Sequence, residues 1–117
     1  MEIYRDFTFD AAHRLDRLPA EHKCSSMHGH TYKVRVYVEG TVKPETGWVM
    51  DYGELKRVCE PAVRMLDHKC LNDIEDIGHT TSENIAVWLW NRIAPDLPGL
   101  SMIEVKETPG TGCRYRG

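Results

Sequence analysis

Residues 2–13 alternate between apolar and polar positions, with Ile3, Phe7, Phe9, Ala11 and His13 on one parity. A period of two over that length reads as a strand with one buried face. From Arg14 to Met27 the alternation is lost and Pro19 intervenes, so this stretch reads as a loop. Residues 31–39 alternate again, Tyr32, Val34, Val36 and Val38 against Lys33, Arg35, Tyr37 and Glu39, which predicts a second half-buried strand. A turn-rich stretch follows from Gly40 to Gly47. Asp51 and Glu54 then have the spacing of a capping box, and Leu55, Val58, Cys59, Ala62 and Leu66 form a helical stripe behind it. Pro61 lies inside the stripe and is expected to kink or divide this helix. Thr80-Thr81-Ser82-Glu83 carries capping chemistry for a second helix that runs to Ile93, with Ile85, Trp88, Leu89 and Ile93 as its apolar side. Residues 101–107 and 112–116 read as two short strands around Pro109-Gly110. The order strand, strand, helix, helix, strand, strand predicts an α+β domain, an antiparallel sheet with both helices on one face. No repeat or linker interrupts residues 1–117, which are read as one domain. The edges and second face of so small a sheet want cover, so a homo-oligomer is expected.

Composition narrows the function classes. The hydrophobic share is 41%, the charged share 28% and the formal net charge −3. Lysine and arginine form no long run, which argues against nucleic acid as a partner. No apolar run is long enough to span a bilayer, and the N-terminus lacks the pattern of a secretory signal. Cysteines 24, 59, 70 and 113 do not form a dense disulfide framework, and are expected to be reduced thiols in a cytoplasmic protein.

The candidate chemistry begins with His13, His28 and His30. On an extended backbone His28 and His30 leave the same face, and His13 ends the buried parity of the first strand. Two strand ends brought together would supply three nitrogen ligands and leave a fourth position open, as in a catalytic zinc site. Cys24 is close enough in sequence to be the fourth ligand or a neighbouring thiolate. Glu107 shares its parity with Ile103 and Val105. It is either a solvated strand-end residue or a carboxylate that accepts two hydrogen bonds from an amidine-like edge of a heterocycle. Asp67-His68 closes the first helix, where a cationic histidine would also have a purely structural use.

Phe9-Asp10-Ala11-Ala12-His13-Arg14-Leu15, Cys24-x-x-x-His28-Gly29-His30, Gly47-Trp48-Val49-Met50-Asp51-Tyr52, Leu66-Asp67-His68, Thr81-Ser82-Glu83-Asn84 and Val105-Lys106-Glu107-Thr108 occur in this order. Together they resemble the 6-pyruvoyltetrahydropterin synthase/6-carboxytetrahydropterin synthase family along essentially the whole chain. The resemblance implies the T-fold, of ββααββ order. It also implies a homo-oligomer, a hexamer in the family, whose sheets join into a barrel with active sites at subunit interfaces. Three residues, Ser25, Ser26 and Met27, separate Cys24 from the His-Gly-His motif, which resembles the carboxy-forming branch. Gly112-Cys113-Arg114-Tyr115-Arg116-Gly117 resembles that branch too. His79-Thr80-Thr81-Ser82 departs from the family's usual Asn-Pro-Thr-Ser.

The reaction so implied is that of a carbon–carbon lyase. It converts 7,8-dihydroneopterin triphosphate to 6-carboxy-5,6,7,8-tetrahydropterin, acetaldehyde and triphosphate, a step that feeds queuosine and other 7-deazapurines. The resemblance assigns zinc to His13, His28 and His30, the general base to Cys24, a proton relay to Asp67 and His68, and the pterin anchor to Glu107. Arg14, Arg17, His22 and Lys23 are candidates for the triphosphate on charge alone. Formation of 6-pyruvoyltetrahydropterin, or a broader side-chain-cleaving activity on related pterins, is the alternative within the class, and a non-catalytic zinc-binding T-fold protein is the alternative outside it.

Overall fold

The computed structural model describes residues 1–117. Strand β1 (Glu2–His13) and strand β2 (His28–Glu39) form a long antiparallel pair, with Phe9 opposite Tyr32, Ala11 opposite His30 and His13 opposite His28. Helix α1 (Tyr52–Leu66) follows, then a two-residue strand β3 (Lys69–Cys70), helix α2 (Ser82–Ile93), strand β4 (Leu100–Thr108) and strand β5 (Thr111–Tyr115). The sheet order is β3-β1-β2-β4-β5. The chain is α+β, as its alternation predicts.

Phe7, Phe9 and Ala11 of β1, Tyr32, Val34, Val36 and Val38 of β2, and Ile103 and Val105 of β4 make the sheet side of one core. Leu55, Cys59, Ala62, Val63 and Leu66 of α1 and Ile85, Ala86, Trp88, Leu89 and Ile93 of α2 make the helix side. Both helices therefore lie on one face, and burial of these apolar side chains supplies the main favourable term. Cys59 belongs to this packing, and burial alone pushes its thiol up to about 12. No helix is long and apolar enough to cross a membrane.

Four details differ from the sequence reading. Strand β2 begins at His28, not at residue 31, because His-Gly-His pairs with Ala11–His13 and continues the ladder. Strand β3 runs parallel to β1, pairing Lys69 with Ala11 and Cys70 with Ala12, so the sheet is not wholly antiparallel. The Asp51 cap accepts from Gly53 N at 3.1 Å, while Glu54 turns to Arg57, which takes it out of the reciprocal half of the box. Pro61 does not divide α1: it sits on the exposed side, where the ring and the carbonyl that its missing N–H leaves unpaired face solvent and not the core.

Candidate metal centre and active site

The core face of the sheet does not stop where the helices stop. One and two pairs beyond Phe9–Tyr32, the same parity places His30 and then His13 and His28 on that face, and Glu107 arrives from the end of β4. Their donor atoms lie within 4.8 Å of one another. His13 Nε2 is 3.0 Å from His28 Nε2 and 2.9 Å from Glu107 Oε1, and His30 Nε2 is 2.8 Å from the same oxygen.

The backbone fixes how these imidazoles present themselves. His13, only 1% exposed, donates from Nδ1 to the Thr80 carbonyl at 2.7 Å, and His28 Nδ1 donates to the Ser26 carbonyl at 2.7 Å. A proton committed to Nδ1 leaves Nε2 with its lone pair turned inward. Two such lone pairs 3.0 Å apart repel unless a cation lies between them. His30 Nε2 is buried and, despite its closeness to Glu107, makes no aligned hydrogen bond. Burial holds His30 below the usual histidine range; Glu107 opposes it, and His13 and His28 add to it. The donor set thus fits a divalent metal of the zinc type on three histidines.

The remaining sequence candidates fall elsewhere. Asp67 and His68 form a second cluster with Asp10, on the solvent face of β1. His68 Nδ1 is 2.9 Å from Asp67 Oδ2, within ion-pair reach, and the imidazole is 78% exposed. His68 adopts φ 57°, a strained value for a side-chain-bearing residue, and its N–H is held by the Asp10 carbonyl at 2.6 Å. Asp67 Oδ1 accepts from Asp10 N at 2.9 Å. That backbone bond and then His68 hold the Asp67 carboxyl below its ordinary 3.8. Since the lowered value belongs to the folded state, the stability that Asp67 contributes is complete above pH 3.8 and is lost as pH falls below it. Asp67→Asn should therefore melt below the wild type at neutral pH, and the two melting curves should converge under acid, which a calorimetric pH series checks.

Cys24 sits half-buried in a 3₁₀ turn (Lys23–Ser25) and outside the group of four donors, so the structure does not give it a place as fourth ligand. Its carbonyl accepts from Leu15 N at 2.8 Å, which ties this loop to the end of β1 beside His13. Of the basic residues, Arg14 pairs with Asp16 at 2.7 Å and His22 Nδ1 accepts from Cys24 N at 3.1 Å, while Arg17 and Lys23 are exposed.

The sequence reading overlooked three supporting groups. Thr80 is buried, and besides its carbonyl on His13 its hydroxyl donates to the Arg14 carbonyl at 3.2 Å. The Asn72 amide accepts from Arg14 N and donates to Arg14 O, both at 2.9 Å, pinning the chain immediately after His13. The Tyr32 ring packs edge-on to His13 and His30. The departure at His79-Thr80 was the signal for Thr80; the backbone carbonyls that orient the rings have no sequence signal.

The chain matches, over residues 2–117, the sequence model of the family described as 6-pyruvoyl tetrahydropterin synthase. It is 42% identical over 119 residues, 97% of this chain and 91% of the relative, to a Synechocystis sp. protein named 6-carboxy-5,6,7,8-tetrahydropterin synthase. It is 45% identical over 97 residues, 83% of this chain and 77% of the relative, to the dihydroneopterin monophosphate aldolase of Pyrococcus furiosus. The solved structure of Caenorhabditis elegans 6-pyruvoyl tetrahydropterin synthase superposes with a TM-score of 0.91 at 29% identity, covering 100% of this chain and 95% of that one.

Proposed function

The chain belongs to the 6-pyruvoyl tetrahydropterin synthase family, and from that membership we propose that residues 1–117, as one T-fold domain, form a zinc-dependent carbon–carbon lyase. It converts 7,8-dihydroneopterin triphosphate and water to 6-carboxy-5,6,7,8-tetrahydropterin, acetaldehyde and triphosphate, in the route to queuosine and other 7-deazapurines. The observation that carries this reading is the convergence of three histidine Nε2 atoms beside the Glu107 carboxylate. The Cys24 spacing and the Synechocystis relative favour the carboxylate product over the pyruvoyl one. The Pyrococcus relative supports a second reading, aldol cleavage of the substrate side chain.

His13, His28 and His30 would hold the zinc, which when bound supplies Lewis-acid polarisation of the substrate's side-chain oxygens. Cys24, as thiolate, takes a proton from the side chain as general base. His68, oriented by Asp67, carries protons on the opposite side of the substrate. Glu107 anchors the pterin 2-amino group and ring N–H through charge-assisted hydrogen bonds. Glu107→Gln turns one acceptor into a donor that faces another donor. Neopterin binding should weaken by on the order of 3 kcal/mol, about a hundredfold in Kd, with zinc content unchanged. Titration by pterin fluorescence checks this, and unchanged affinity contradicts the role.

His68 lies with Asp10 on the solvent face while the metal ligands line the core face, which supports active sites completed by a second copy of the chain. The edges support such an assembly. β3 covers β1 only at Ala11 and Ala12, and nothing pairs with the outer edge of β5. The polar face of β1 carries Glu2, Asp6 and Asp10, and that of β5 carries Arg114. Across the sheet between them runs the row Asp6, Arg35, Glu104, Arg114, with alternating charge. An acidic edge and a basic edge at opposite ends suit head-to-tail closure of a ring, the hexamer's barrel. The four free thiols support a reducing, cytoplasmic setting. Incubating zinc-loaded protein with 7,8-dihydroneopterin triphosphate and identifying products by mass spectrometry tests the function. We expect 6-carboxytetrahydropterin with acetaldehyde; a pyruvoyl pterin, an aldol fragment or no turnover contradicts it.

A further inference from the structure

Only two buried side-chain polar atoms lack a hydrogen-bond partner, His30 Nε2 and the Tyr32 hydroxyl. A metal accounts for the first. The second has no such explanation. Tyr32 is 0% exposed, and its ring stacks on Phe9 at 4.7 Å and 7°. Phenylalanine would fill the same space without burying an unpartnered oxygen, which disfavours the folded state. Lys33 pairs with Lys106, so one step further along the antiparallel pair Tyr32 faces Glu107 on the core side. The phenol O–H is thus a buried donor without a partner, on the strand pair that leads to the Glu107 carboxylate.

Glu107 Oε1 now rests against His13 and His30. A metal on those nitrogens would displace it. We propose that Tyr32 is a positioning residue whose O–H then donates to the Glu107 carboxylate and holds it in the orientation that binds the pterin edge. A carboxylate has about four acceptor positions, enough for one phenol and two heterocycle donors. The inference rests on the reading of Glu107 as pterin anchor.

The test is a double-mutant cycle on zinc-loaded protein, with neopterin as the probe, followed by fluorescence. Tyr32→Phe should raise the Kd about tenfold, the scale of one hydrogen bond to a charged group. It should raise the KM for the triphosphate substrate similarly and leave kcat within about twofold, because Tyr32 acts on binding. In a Glu107→Gln background it should change the Kd no further. Zinc content should hold, and the zinc-free Tyr32→Phe protein should melt no lower than the wild type, since only an unpartnered oxygen is removed. If Glu107→Gln weakens binding and Tyr32→Phe does not, the anchor stands and this inference falls. If Glu107→Gln leaves the Kd unchanged, the anchor reading fails and takes the inference with it. Equal losses from Tyr32→Phe in both backgrounds, or a lower melting temperature with unchanged Kd, would show that the hydroxyl does not work through Glu107.

Discussion

His28→Ala should purify folded but without zinc, and with no measurable turnover. His28 Nε2 is 3.0 Å from His13 Nε2, and its other nitrogen is fixed on the Ser26 carbonyl, so alanine removes one of three oriented imidazole donors. Two histidines and the shared Glu107 oxygen would remain. Altering groups that merely support a metal ligand costs about 10–100-fold in affinity, and loss of a ligand itself should exceed that. The fold should survive, because His28 is a half-buried residue at the first position of β2, outside the apolar core. Elemental analysis and circular dichroism on one preparation check both halves, and full zinc occupancy in this variant would sink the metal assignment.

Cys24→Ala should keep its zinc, bind pterin and lose turnover by about two to four decades, the usual worth of a positioned base. Zinc should stay because Cys24 lies outside the donor group. The fold should hold because the turn is fastened by backbone and neighbouring groups: the Cys24 carbonyl on Leu15 N, and Ser25 Oγ on the carbonyls of Ala20 and His22. Cys59→Ala is the control. Its thiol is buried in the α1 packing and kept protonated by burial, so its loss should lower stability and leave turnover intact. Near-normal turnover by Cys24→Ala would mean that another group takes the proton.

The sequence makes legible what repeats along it. Alternation gives β1 and most of β2, and the same parity, carried past the apolar residues, brings out His13, His28, His30 and Glu107. Contacts that depend on meeting in space leave little trace. Lys69-Cys70 is too short to show a period, and becomes a strand because Asp10 holds the strained His68 and leads the chain along β1. Thr80 and Ser26 orient histidines through main-chain carbonyls, which any residue has. The Asn72 amide mimics a strand partner for Arg14. Tyr32 reads as one more buried member of an alternating strand, because period does not distinguish a phenol from a phenyl ring. Asp67 and His68 are legible as a pair, but that they stand apart from the metal ligands within one chain follows only from which face of β1 each cluster occupies.

The zinc proposed on three inward-turned histidine nitrogens is open to X-ray absorption at the zinc edge, on pterin-bound wild-type protein. About one zinc per chain is expected, with histidine nitrogens at about 2.0–2.1 Å and no sulfur shell near 2.3 Å. A protein that takes up no zinc, or a zinc whose neighbours are sulfurs and not imidazoles, would contradict it.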